Sequence, residues 1–137
     1  MIRAVIDTNV LVSAMISSAG NEAVLLMAIA QGLVIPCFSA EVLVEYSEVL
    51  LRPRFGFPVN EVDALTDMFR SRGQCLDPVE VTRISPDPDD DKFIACAVAA
   101  RVEFLATGNK RHFPEDQLAG TKVVNAGELL GIIARQL

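Results

Sequence analysis

The sequence predicts an α/β fold: a single domain over residues 1–137, with a central parallel sheet of about five strands flanked by helices. Three observations predict it. Short β-branched runs alternate with longer stretches of helical spacing, which requires crossover connections rather than hairpins. Half the residues are apolar (51%), and 137 residues suffice to bury a core without staples. No internal repeat, low-complexity tract or linker interrupts the alternation.

Ile2 to Ile6 is a β-branched strand ending at Asp7-Thr8-Asn9, and Val10 to Ile16 has helical spacing up to the break at Ser17-Ser18-Ala19-Gly20. Glu22 to Gln31 is an Ala-rich helix stopped by Gly32. Leu33 to Ile35 has room only for a short buried strand. Ser39 opens a helix that runs to about Leu51 and ends before Pro53. Arg52 to Pro58 is an exposed loop, and Val59 to Arg72 an amphipathic helix with Val62, Leu65, Met68 and Phe69 inward, ending at Gly73. Gln74 to Val81 reads as a strand, followed by an aspartate-rich turn at Asp87-Pro88 and a helix from Asp90 to about Arg101. Glu103 to Ala106 is a strand, Thr107 to Gln117 a polar connection and Lys122 to Val124 the last strand. Asn125 caps the final helix.

The net charge of −6 argues against a broad basic surface for nucleic acid. Six acidic residues account for it. Removing Asp7, Glu45, Asp87, Asp89, Asp90 and Asp91 from the 18 acidic residues leaves 12 against 12 basic ones. No uninterrupted apolar run approaches a membrane span, and the N-terminus reads as a strand rather than a signal peptide, so a cytoplasmic chain is expected. Cys37, Cys75 and Cys96 lack paired ligand spacing and read as reduced, mostly buried thiols. His112, the one histidine, has no partner for a zinc site and reads as an exposed loop residue.

In open parallel sheets, functional groups gather at the carboxyl ends of strands. Asp7 follows the first strand, Thr107-Gly108-Asn109 follows the fourth, and Asp90 opens the helix leading into the fourth. If the first and fourth strands are neighbours across a switch point, these positions converge. Each also has a bland reading. Asp7-Thr8-Asn9 are cap-forming residues, and capping with a turn explains one or two of the four aspartates between 87 and 91, though not all. Glu45 lies on the border of the stripe formed by Val42, Leu43, Tyr46, Val49 and Leu50, where it can reach a polar cleft or stay on an exposed flank. Val44 falls on the exposed side with no intrachain reason. Hard carboxylate oxygens from separate segments suit Mg²⁺ or Mn²⁺, one or two ions, and such clusters commonly serve phosphoryl chemistry.

The segments VIDTNVLVSA, SAEVLVEYSEVLLRPRF, DPDDDKFIACAVAA and FLATGNKRHFP, in this order, resemble a PIN domain, the ribonuclease fold of VapC-type toxins in bacterial toxin–antitoxin pairs. The resemblance runs nearly end to end. It implies a metal-dependent endoribonuclease cleaving RNA with a metal-activated water. Asp7, Glu45 and Asp90 would be its catalytic and metal-holding acids, with Asp91 the alternative to Asp90, and Thr8, Asn9 and Thr107 would support the site. Asn109 stands where many PIN domains carry a fourth aspartate; it can ligate through its carbonyl but adds no charge. Arg52, Arg54, Lys110 and Arg111, on loops, would contact the RNA backbone, or serve only as solubilising charge. The family often dimerises and is often inhibited by a cognate antitoxin.

Two rival classes remain. A catalytically weak PIN-fold module that binds RNA or protein is favoured by Asn109. A signalling receiver shares an aspartate-lined Mg²⁺ site, but would need an aspartate ending the third strand and a lysine after the fifth; the third runs into Thr82-Arg83 and the fifth is followed by Asn125. A dehalogenase-like phosphatase would need an aspartate at position 9, which is Asn9, and a serine triad would need a nucleophile elbow the chain lacks.

Overall fold

The computed structural model describes residues 1–77 and 88–137. The five strands are β1 (Ile2–Ile6), β2 (Val34–Ser39), β3 (Gln74–Leu76), β4 (Phe104–Ala106) and β5 (Lys122–Val124). All pair in parallel, in the order β3-β2-β1-β4-β5. The helices are α1 (Thr8–Ile16), α2 (Asn21–Ala30), α3 (Ala40–Leu50), α4 (Val59–Arg72), α5 (Asp91–Ala100) and α6 (Ala126–Gln136). The expected single α/β domain with a parallel sheet is what forms. None of the helices is long and apolar enough by itself to cross a membrane among the described residues.

The order places the switch point between β1 and β4, because the chain moves outward from β1 to β3 and then returns to the other side. That separates the fold from a receiver, whose third strand is internal. Here β3 is an edge strand ending at Leu76, so Asp77 lies away from the switch point. The continuation of the third strand through Val81, its run into Thr82-Arg83 and the turn residue Asp87 fall outside the described residues.

Three boundaries depart from the sequence reading. β2 runs on through Pro36 to Ser39, where the sequence suggests an end at Ile35. A proline lacks the ladder donor, but β3 pairs with β2 only from Cys37 onward, so the ladder on that side begins after Pro36. Asp90 does not open α5; it closes a 3-10 turn, Pro88–Asp90, and occupies the N-cap position without a side-chain capping bond. The polar connection after β4 contains two 3-10 turns, Lys110–His112 and Glu115–Gln117. Elsewhere local chemistry decides as expected: Ser39 Oγ accepts from the Val42 amide at 3.2 Å to cap α3, and Asn125 with Glu128 forms a capping box on α6.

The core is knitted by aromatic rings from β2, α3, α4 and α5. Tyr46 meets Phe69 edge-on at 5.4 Å between centroids, Phe69 meets Phe38 at 6.4 Å, and Tyr46 meets Phe93 at 6.4 Å. All four are buried, each contributing about 1.5–3 kcal/mol by burial. The cysteines are free, Cys37 and Cys96 buried and Cys75 exposed.

Gly73, between α4 and β3, lets the backbone pass close to β2. A Cβ there would stand 2.3 Å from the Pro36 carbonyl oxygen and 2.8 Å from both Phe38 Cε1 and the Phe69 carbonyl oxygen. Two of these are backbone atoms that cannot swing away. Gly73→Ala is therefore expected to destabilise the fold by at least about 2 kcal/mol in urea denaturation. An unchanged urea midpoint would show that β2 and α4 can separate without cost.

Candidate active site

The site forms where β1 ends. The Asp7 amide continues the β1–β4 ladder by donating to the Ala106 carbonyl at 2.9 Å, and the Thr107 amide donates to the Val124 carbonyl at 2.9 Å. Tyr46 Oη donates to the Ile6 carbonyl, so α3 is fastened to the end of β1 one residue before Asp7. Burial pushes the Tyr46 phenol well above its usual pKa, keeping it a neutral donor. Glu45, next to Tyr46, is thereby held beside α1, and Thr8 Oγ1 donates to its Oε2.

Asp7 is 6% exposed and Thr107 fully buried; Thr107 Oγ1 donates to Asp7 Oδ2 at 2.8 Å. Asp7 sits at the N-cap of α1 without a side-chain capping bond, so capping does not explain it. Its pKa is pushed up to about 6, first by burial and then by the charges of Asp90 and Glu45, against the opposing hydrogen bonds from Thr107 and the Thr8 amide. Acids from three separate elements therefore act on one another electrostatically. Thr107 Oγ1 also accepts from the Asn109 amide at 3.0 Å, and Asn9 Oδ1 accepts from the Gly108 amide at 3.1 Å. These bonds tie the turn after β1 to the turn after β4.

Two of the three carboxylates are met by groups from within the chain. Lys92 Nζ lies 2.6 Å from Glu45 Oε1. Burial alone would lower the Lys92 pKa, but the hydrogen bond and charge of Glu45, with Glu41 and Asp89 beyond it, leave it raised. Asp90 Oδ2 lies 2.7 Å from His112 Nδ1, and Asn109 Nδ2 lies 3.0 Å from His112 Nε2. Both ring nitrogens of His112 are thus engaged, one by Asp90 and the other by Asn109. Among the described residues no cation faces Asp7.

The other expected residues sort as follows. Thr8 is buried and Asn9 exposed; Asp91 is 3% exposed, more deeply placed than half-buried Asp90. Asn109 is exposed, with its amide on His112. Lys110 pairs with Glu128 and, together with the Asn125 amide, holds that carboxyl below its usual pKa. Arg52, Arg54 and Arg111 are exposed. His112 is the residue the sequence reading missed: it is half-buried against Asp90, not a free loop side chain. Lys92 was passed over as well, and its place directly after three aspartates was the available signal.

All donors here are hard oxygens, which suit Mg²⁺ or Mn²⁺. Asp7, whose ionised form is penalised by its surroundings, is the kind of group a divalent cation relieves. The donor chemistry fits such an ion, although among the described residues no three His, Cys, Asp or Glu side chains stand arranged to hold one. Glu45 is engaged by Lys92 and Thr8, and Asp90 by His112.

A family model described as the PIN domain matches residues 3–111, most of the chain. No curated protein matches it.

The raised pKa of Asp7 makes its ionisation a cost to the fold. A pKa of about 6 in place of 3.8 corresponds to about 3 kcal/mol. A raised carboxyl contributes stability that is complete below pH 3.8 and lost as pH rises through 6. In EDTA, Asp7→Asn should therefore be more stable than wild type at pH 7.5, with the gap closing towards pH 4. Urea midpoints measured across that range check it; a gap independent of pH would mean that Asp7 is not the group titrating.

Proposed function

The chain belongs to the PIN domain family, whose members are generally nucleases, and from that premise we propose that it is a Mg²⁺- or Mn²⁺-dependent endoribonuclease. The observation that supports the reading is a buried Asp7 at the β1–β4 switch point, whose carboxyl feels the charges of Asp90 and Glu45. Asp7, Glu45 and Asp90 are the residues that would hold the ion, with Asp91 and the Asn109 carbonyl as further candidates. When bound, it supplies Lewis acidity at a phosphoryl oxygen and a water of lowered pKa.

The chain's own groups do the rest. Thr107 aims the Asp7 carboxylate, Thr8 and Lys92 set the direction of Glu45, and His112 with Asn109 sets that of Asp90. Arg52, Arg54 and Arg111 are exposed for the RNA backbone, whereas Lys110 must first leave Glu128. The finer assignment is a cytoplasmic toxin of a bacterial toxin–antitoxin pair, dimeric and restrained by a cognate antitoxin; the four sequence segments that resemble VapC-type proteins support it.

A second reading, a catalytically weak RNA- or protein-binding module, is favoured by Asn109, which brings no charge and directs its amide to His112. One experiment separates the two. Labelled RNA is incubated with the protein in Mn²⁺ or in EDTA, alongside Asp7→Asn and Asp90→Asn. Cleavage in Mn²⁺ should fall by about 100-fold or more in each variant and vanish in EDTA, with circular dichroism unchanged. Full cleavage by both variants, or in EDTA, rules the enzyme reading out.

A further inference from the structure

Between α3 and α4 lies a short connection that takes no part in holding the three acids. Arg52 to Pro58 folds as a 3-10 turn, Pro53–Phe55, closed by the Phe55 amide on the Arg52 carbonyl at 3.0 Å and the Gly56 amide on the Pro53 carbonyl at 3.2 Å. Gly56 takes a left-handed conformation at φ 65°, and the chain reverses there. The reversal stacks Phe57 on Phe55, with ring centroids 5.2 Å apart and planes within 9°. The Arg54 guanidinium lies over the Phe55 ring, 4.8 Å from its centroid. Phe57 is packed against the core, Phe55 is half-exposed and Arg54 exposed. Among the described residues no carboxylate pairs with Arg52 or Arg54.

A surface loop gains little from ordering a guanidinium and two parallel rings in partial contact with water. Two prolines and a left-handed glycine hold the group in place, so a ligand would not bear the cost of ordering it. Flat groups with a delocalised charge are what unpaired nucleobases stack on, through the guanidinium plane or an aromatic face. The group is also within reach of the acids. Five residues of helix and four of loop separate Glu45 from Arg54, at most about 22 Å.

We infer that Arg54, Phe55 and Phe57 form a subsite that stacks an unpaired base of single-stranded RNA. The inference deepens the nuclease reading and rests on it for the identity of the ligand. A base flanking the cleaved bond would be held on this platform, so that the RNA is gripped by base faces as well as by phosphate charge. Recognition by stacking selects unpaired strand over duplex, because paired bases have no free face.

Arg54→Lys keeps the charge and removes the plane, and Phe55→Leu keeps the bulk and removes the ring. The full chain, in EDTA so that nothing is cut, is titrated with a short single-stranded oligoribonucleotide and with a strand of equal length carrying abasic positions. Fluorescence anisotropy gives affinity. Both variants should bind the base-bearing strand roughly five- to a hundredfold more weakly than wild type. All three proteins should bind the abasic strand alike. Melting curves show that the variants fold, and Arg54→Lys, altered only at the surface, decides the matter if Phe55→Leu does not.

Wild-type affinity retained in Arg54→Lys overturns the inference, as does an equal loss on both strands, which would mark a phosphate contact. Failure of the wild type to bind either strand overturns it too, and leaves a protein partner as the occupant of the platform. The nuclease reading is read out separately, by cleavage in Mn²⁺. Cleavage with unaffected Arg54→Lys binding sinks the platform alone. Platform-dependent binding without cleavage sinks the enzyme alone.

Discussion

The fold is arranged around a carboxylate placed where a carboxylate is unfavourable. Asp7 follows the central strand, nearly out of contact with water, and burial, aided by the charges of Asp90 and Glu45, raises its pKa to about 6. Satisfying it recruits Thr107 from the turn after β4, across the point where the sheet changes direction. The same strand end exposes the Ile6 carbonyl, which Tyr46 takes up, and Tyr46 is in turn wedged among Phe69 and Phe93. Packing of α4 and α5 thus fixes the ring whose hydroxyl fixes α3, and α3 delivers Glu45. The site is held by the core rather than by its own loops.

Compensation around the three acids is uneven. Glu45 has an ammonium and Asp90 an imidazole, while among the described residues Asp7 has a hydroxyl and amide donors and no cation. A buried carboxylate with hydrogen bonds but no counter-charge shifts its pKa upward instead of forming an ion pair. Asn109 takes its meaning from the same comparison. Its side chain contacts His112 Nε2 while the other ring nitrogen contacts Asp90, and as an amide it brings no charge to that group.

Much of the fold was legible because it is written locally. The β-branched run before Asp7, the amphipathic stripe of α4 and the capping box of α6 are decided within a few residues of themselves. Glu45 was legible too, since its place on the border of the α3 stripe follows from helical geometry alone. β2 continues past the short strand read at Leu33 to Ile35, through Pro36, and the late start of β3 makes that proline tolerable. The contact of His112 with Asp90 joins residues 22 apart through a 3-10 turn that no periodicity announces, and the Tyr46–Ile6 bond spans 40 residues. Both depend on how elements pack. Sequence patterns describe elements one at a time.

A net charge of −6 is an obstacle for a chain that handles RNA only if recognition must be electrostatic. Half of that obstacle is local: Asp7, Glu45 and Asp90 are three of the six acidic residues in excess. Apart from those three and Asp87, Asp89 and Asp91, 12 acidic residues stand against 12 basic ones, so no broad basic surface draws in a polyanion. Affinity must then come from short-range contacts. Stacking is one of the few such contacts that does not require a positive surface, and its strength does not depend on releasing counterions from the strand. A guanidinium set on aromatic rings, with no carboxylate paired to it among the described residues, gives an acidic chain a way to hold an unpaired base without a positive surface.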